Sequence, residues 1–266
     1  MTDVIQKAEE KPKSSTSEFE IPFDVLELPS KGKLYKTGSL AGKDSLEVHY
    51  LTALQEDILT SPNLIKSGKM LDVLLKSVLK DKSIEPNDML LGDRNAIIVW
   101  LRATGYGEEY PVVIECGSCG ESYKYTFDLN KLETRELTTD ADENGLFNFT
   151  LPVTKKNIKF GLLTVGDENA IAKLIEERKT KLDTIIDNSL SLKMFQMIKE
   201  IGGNTDRGYI KKFVESMPVK DAVKLRSYIN EIEPGIIMMQ ESTCLHCGKS
   251  SMEVMPIQAN FFWPSS

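Results

Sequence analysis

No stretch of this 266-residue sequence is apolar for long enough to cross a bilayer as a helix. Runs such as Asn95 to Leu101 and Ile236 to Met239 stop far short of the roughly 18 to 20 residues that a span requires. The beginning of the chain lacks the basic start and apolar stretch of a secretory signal, so a reducing cytoplasm is the expected setting. An excess of positive charge is missing too. With a net charge of -7 and lysines interspersed among acids, the sequence offers no basic stripe for a phosphate backbone, and nucleic acid is not an expected partner. Phosphate loops, nucleophile elbows, dinucleotide fingerprints and His-x-x-x-His pairs are absent, so no enzyme class is indicated. Histidine is scarce at two residues, and cysteine at four.

What cysteine there is stands in two pairs of one pattern, Cys116-Gly-Ser-Cys119-Gly and Cys244-Leu-His-Cys247-Gly. Such a knuckle aims two thiolates at one cation, and two knuckles supply the four ligands of a closed tetrahedral zinc site. The sequence therefore predicts one structural Zn2+ on Cys116, Cys119, Cys244 and Cys247, with no position left open for catalysis. An iron-sulfur cluster on the same thiolates is the less favoured option. A redox dithiol is disfavoured because it would sit at a helix start after a strand, not in a hairpin turn. His246 lies inside the second knuckle and is expected to point away from the site; His49 is expected to be structural. About 124 residues separate the pairs, against roughly 15 to 20 in a compact ribbon. A substantial element must sit inside the ribbon.

Periodicity along the chain predicts an α+β fold: a zinc ribbon with a long, mainly helical insertion between its knuckles, preceded by an N-terminal α/β segment. Residues 1–18 are polar and predict a disordered arm. A mixed α/β module over 19–108 holds a strand at Leu46 to Tyr50 and a helix opened by Thr52 with Gln55 in a capping box. A further helix runs from Met70 to Leu79, and another opens at Pro86-Asn87-Asp88 and ends at Gly105-Tyr106-Gly107. The split ribbon occupies 109–137 and 233–266, with strands at Glu109 to Glu115, Ser122 to Phe127, Ile236 to Glu241 and Ser251 to Ile257. The insertion, 138–232, starts with the acidic linker Thr138 to Gly145, in which Asp140, Asp142 and Glu143 read as solvated loop. A hairpin of Phe147 to Leu151 with Asn157 to Leu163 follows. Four helices complete it: one capped by Asp167 with Ile171, Leu174, Ile175 and Leu182 on its apolar face, one from Leu190 to Ile201 stopped by Gly202-Gly203, then Asp206 to Glu215 and Pro218 to Ile232. Met194, Met197, Met238 and Met239 are expected to fill core.

Phe261, Phe262 and Trp263 put three large aromatics within the last six residues. They either cover the ribbon or serve as a partner-binding anchor, since rigid aromatics fill a pocket at little entropic cost.

The ordered series Leu28-Pro29-Ser30-Lys31-Gly32-Lys33-Leu34-Tyr35, Leu51 to Leu59, Leu91-Gly92-Asp93-Arg94 and Leu101-Arg102-Ala103-Thr104-Gly105-Tyr106-Gly107, running into a Cys-x-x-Cys, resembles the baseplate hub assembly proteins of T4-like contractile-tailed phages. The resemblance covers about Pro29 to Cys119. It implies a non-enzymatic late protein that binds other baseplate or tail proteins, acting in the host cytoplasm during assembly and then either leaving or staying in the virion. It also makes Asp93 and Arg102 candidates for a structural ion pair or an interface. The competing expectation is a zinc-ribbon nucleic-acid-binding regulator, which the acidic charge disfavours.

Overall fold

The computed structural model describes residues 20–181, 188–255, 257 and 259–262. The expected arm 1–18, Leu182 and Trp263 lie outside the described residues.

The fold is mixed α+β. Strand β1 (Phe23–Glu27) pairs antiparallel with β2 (Ser45–His49), and three helices follow: α1 (Ala53–Thr60), α2 (Pro62–Lys66) and α3 (Met70–Val78). The Thr52 amide donates to Gln55 Oε1 at 3.1 Å, as the capping box requires. Helix α4 (Leu91–Tyr106) leads into the hairpin of β3 (Glu109–Glu115) and β4 (Ser122–Asp128). A two-residue strand β5 (Thr134–Arg135) precedes β6 (Phe147–Thr150), β7 (Asn157–Phe160), α5 (Val165–Lys181), α6 (Ser189–Met197) and β8 (Ile198–Ile201). Helices α7 (Arg207–Ser216) and α8 (Val219–Ile232) then return the chain to β9 (Gly235–Ile236), β10 (Met239–Thr243) and β11 (Ser250–Val254). Strands β10 and β11 form a second hairpin, while β9 pairs with β5.

Several local expectations are corrected. The segment opened by Pro86 is a separate 3-10 turn, Pro86–Asp88, and the helix proper begins at Leu91 because Leu90 is held extended against Thr164. The expected helix through Ile201 stops at Met197; Ile198–Ile201 instead joins β6-β7 as a third strand, where β-branched Ile198 and Ile201 are buried. Asp167 does not cap from outside its helix. It sits three residues in, accepting from the Thr164 amide at 3.0 Å while its own amide donates to Thr164 Oγ1 at 3.2 Å. The strand expected from Ile236 to Glu241 is two pieces, β9 and β10. Leu174 and Met239 are exposed, whereas Met194 and Met197 are core.

Two large apolar cores form among the described residues. The first joins β1, β2 and the helices α1 to α4 to Tyr110, Phe127 and Leu129 of the first hairpin, and Met255, Phe261 and Phe262 close it. The second gathers Phe147, Ile158 and Phe160 of the three-stranded sheet with α5 to α8. They touch where Leu91 packs against both, and there the Leu91 amide donates to Leu163 O at 3.1 Å and the Val165 amide to Met89 O at 2.8 Å.

Helix α4 fastens the first core at both of its ends. Near its start Asp93, fully buried, accepts from the Ser30 amide (3.0 Å), the Ser30 hydroxyl (2.6 Å) and the Tyr35 hydroxyl (2.5 Å). Burial raises the Asp93 carboxyl above the ordinary range against the pull of these donors. One residue earlier, Gly92 leaves room for Pro234: an added Cβ would lie 1.8 Å from Pro234 O. At the other end Arg102, also fully buried, donates to Gly107 O at 2.5 Å, Glu109 O at 2.9 Å and Phe261 O at 2.9 Å. Asp93 and Arg102 are therefore not an ion pair with each other. Each clamps a different loop.

Candidate metal centre

The two hairpins carry the cysteines at their tips, and backbone geometry repeats from one tip to the other. After the last pair of the first ladder, Glu115 with Ser122, the Cys116 amide donates to Glu121 O (2.9 Å) and the Gly120 amide to Cys116 O (2.8 Å). After Thr243 with Ser250, the Cys244 amide donates to Lys249 O (3.0 Å) and the Gly248 amide to Cys244 O (2.9 Å). Gly120 and Gly248 close the turns at φ +74° and +70°, a left-handed conformation that glycine adopts without strain.

The four sulfurs converge. Cys116 Sγ lies 3.8 Å from Cys247 Sγ, and Cys119 Sγ 3.8 Å from Cys244 Sγ, with all four within 4.8 Å of one another. These separations are far from the roughly 2.05 Å of a disulfide. A tetrahedron of thiolates about 2.3 Å from one zinc has edges of roughly 3.8 Å. The donor set thus fits a single ion. Cys116 and Cys244 are buried, while Cys119 and Cys247 face solvent. The amides of Cys119 and Ser118 aim at the Cys116 sulfur and bring its thiol down to about 6. The Glu121 amide favours the Cys119 thiolate, but desolvation and the neighbouring sulfurs outweigh it and push that thiol up to about 12. With no cation, four thiolates cannot share this space; a divalent ion would remove that repulsion.

Sequence reasoning missed what aligns the hairpins. On their facing surfaces, the Tyr123 and Ser242 hydroxyls hydrogen-bond at 2.6 Å, buried beneath Cys116 and Cys244. The Tyr125 hydroxyl donates to Glu241 O at 2.9 Å, and Gln240 both accepts from the Asp128 amide (3.2 Å) and donates to Asp128 O (2.6 Å). The signal was present as polar residues at alternate positions, but which face they take depends on two hairpins meeting across the insertion. His246 is exposed and outside the cluster, and His49 Nδ1 lies 3.2 Å from Ile21 O in the β1-β2 sheet. Phe261 and Phe262, expected either to cover the ribbon or to anchor a partner, are fully buried, with Phe261 edge-on to Tyr110 at 5.0 Å. They fill this chain's own core.

Among the described residues these thiols are the one convergent group of three or more potential metal ligands. The family model described as T4 bacteriophage base plate protein matches residues 23–263, so the chain belongs to that family. No curated protein and no solved structure matches it. Among the described residues no helix is long and apolar enough to cross a membrane.

Proposed function

We propose that this chain is a non-enzymatic structural or assembly protein of the baseplate hub, which binds other tail subunits through a surface held in shape by one zinc ion. The observation that carries the reading is the family match, which runs through both hairpins and everything between them. Cys116, Cys119, Cys244 and Cys247 would hold the metal, closing a split zinc ribbon around the helical insertion. When bound, the ion supplies only charge neutralisation and geometry, because four thiolates leave it no open position. Sulfurs within 4.8 Å of one another suit one ion better than the wider cage of a multi-iron cluster. The chain would act in the host cytoplasm during assembly and, if retained, in the virion tail.

The test is co-expression with neighbouring tail-gene products, followed by size-exclusion chromatography and a DNA-binding assay at moderate salt. Co-elution with a tail subunit and no retention on DNA is the expected result. Salt-sensitive co-elution with nucleic acid alone would overturn the proposal.

A further inference from the structure

Thiols placed to share a metal can also be oxidised, and the disulfide that forms depends on which sulfur lies beside the one attacked. The four thiols here are of two kinds. Cys119 and Cys247, the second cysteine of each knuckle, are exposed, whereas Cys116 and Cys244, the first of each, are buried. An oxidant in solution therefore meets Cys119 and Cys247 before the other two. The sulfur 3.8 Å from each exposed one is the buried sulfur of the opposite hairpin, Cys244 for Cys119 and Cys116 for Cys247. Each exposed thiol thus has a resolving partner across the boundary between the hairpins.

That boundary is already aligned without metal, by the Tyr123 and Ser242 hydroxyls at 2.6 Å and by the Tyr125 hydroxyl on Glu241 O at 2.9 Å. Loop length favours the same pairing. The partners stand 125 and 131 residues apart in sequence, and a disulfide that closes so long a loop constrains the unfolded chain far more than one closed within a knuckle.

We propose that the cluster is also a redox latch: peroxide links Cys116 to Cys247 and Cys119 to Cys244, so that two disulfides keep the hairpins fastened when metal is lost. In each half the exposed thiolate attacks one peroxide oxygen, the O-O bond breaks, and the departing hydroxide takes up the thiol's proton as water, leaving a sulfenic acid. The buried thiol of the other hairpin then attacks the sulfenic sulfur. An S-S bond forms, and the sulfenic oxygen leaves as a second water with that thiol's proton. Two peroxides are reduced, four thiols are oxidised and four waters form. Any zinc held by the thiolates is released, because a disulfide sulfur is no longer a thiolate ligand. The latch rests on the metal reading for that release alone; the pairing depends only on where the sulfurs lie. A chain retained in the tail would leave the reducing cytoplasm with the particle, and its clasp would pass from metal to disulfide without opening.

Disulfide mapping of the full chain tests this, after removal of metal with a chelator under reducing conditions and addition of two equivalents of hydrogen peroxide. Proteolysis should yield one linked pair of fragments, joining the fragment with Cys116 and Cys119 to that with Cys244 and Cys247. Cys116→Ser/Cys247→Ser and Cys119→Ser/Cys244→Ser each keep one expected pair. Both should form their disulfide at least tenfold faster than Cys244→Ser/Cys247→Ser, which keeps a buried and an exposed thiol of one knuckle; circular dichroism checks that each variant folds. The chain as purified should release its zinc on oxidation, read with a chromogenic chelator. Fragments each closed by an internal disulfide, linkage between chains, sulfinic acids in place of disulfides, or equal rates in the three variants would overturn the latch. A chain that never held zinc and still links its hairpins supports the latch and contradicts the metal reading alone.

Discussion

Two regions of this molecule bring distant parts of the chain together, and they do it by opposite physics. Helix α4 uses neutral and charge-assisted hydrogen bonds to backbone, at Asp93 for the Ser30 turn and at Arg102 for the starts and ends of neighbouring segments. The knuckles use four thiols that oppose one another until a cation arrives. The first kind of joint is complete in the polypeptide alone. In the proposed reading the second is conditional on metal, and its hydrogen-bonded underlay at Tyr123, Ser242 and Gln240 would decide how far the hairpins separate without it.

Breaking the unconditional joint should cost most. Arg102→Ala leaves three backbone carbonyls without their donor, each worth about 1 kcal/mol or more, so a loss of roughly 3 kcal/mol in urea unfolding is expected. Arg102→Lys should recover only part of it, because one ammonium cannot reproduce the planar fork. Chelation of the metal should have a smaller and more local effect. Hydrogen exchange should rise at the tips, Cys116 to Gly120 and Cys244 to Gly248, while the amides of α4 keep their protection. Equal loosening of both regions would mean that the underlay contributes nothing.

The smallest effect separates Asp93 from its partners by pH. Its folded carboxyl titrates above its unfolded value of about 3.9, so the folded state binds that proton more tightly. The stability that this proton binding contributes is fully present below the unfolded value and is lost as pH rises through the folded one. Asp93→Asn should remove that component of the pH dependence, seen as a flatter difference between variant and native unfolding curves across the acid range. An unchanged slope would place the carboxyl in a more polar setting than its burial indicates.

The convergence of the four thiols was legible because their spacing is local: four cysteines in two matching knuckles mark a candidate ligand set before any tertiary contact is known. Most helices and hairpins were legible for the same reason, through period and caps. Ile198 to Ile201 was not, because its apolar residues continue the helical pattern of α6 and only pairing with β7 makes them a strand. Nor were the partners of Asp93 and Arg102. A buried charge looks like half of an ion pair in sequence, and here the other halves are a serine, a tyrosine and three peptide carbonyls. For Phe261 and Phe262 the sequence left two options open, covering the ribbon or anchoring a partner, and their burial beside Tyr110 and Phe127, with Phe261 O accepting from Arg102, fits the first. The segments carrying the family resemblance turn out to be mutual contacts: Ser30 and Tyr35 reach Asp93, and Arg102 reaches Gly107.

Metal content tests the account most directly. Protein purified without added metal, measured by plasma mass spectrometry beside Cys119→Ser/Cys247→Ser, should carry one zinc per chain, and the variant none. A folded, metal-free protein that still associates with tail subunits would contradict the account, as would an iron-loaded, coloured one.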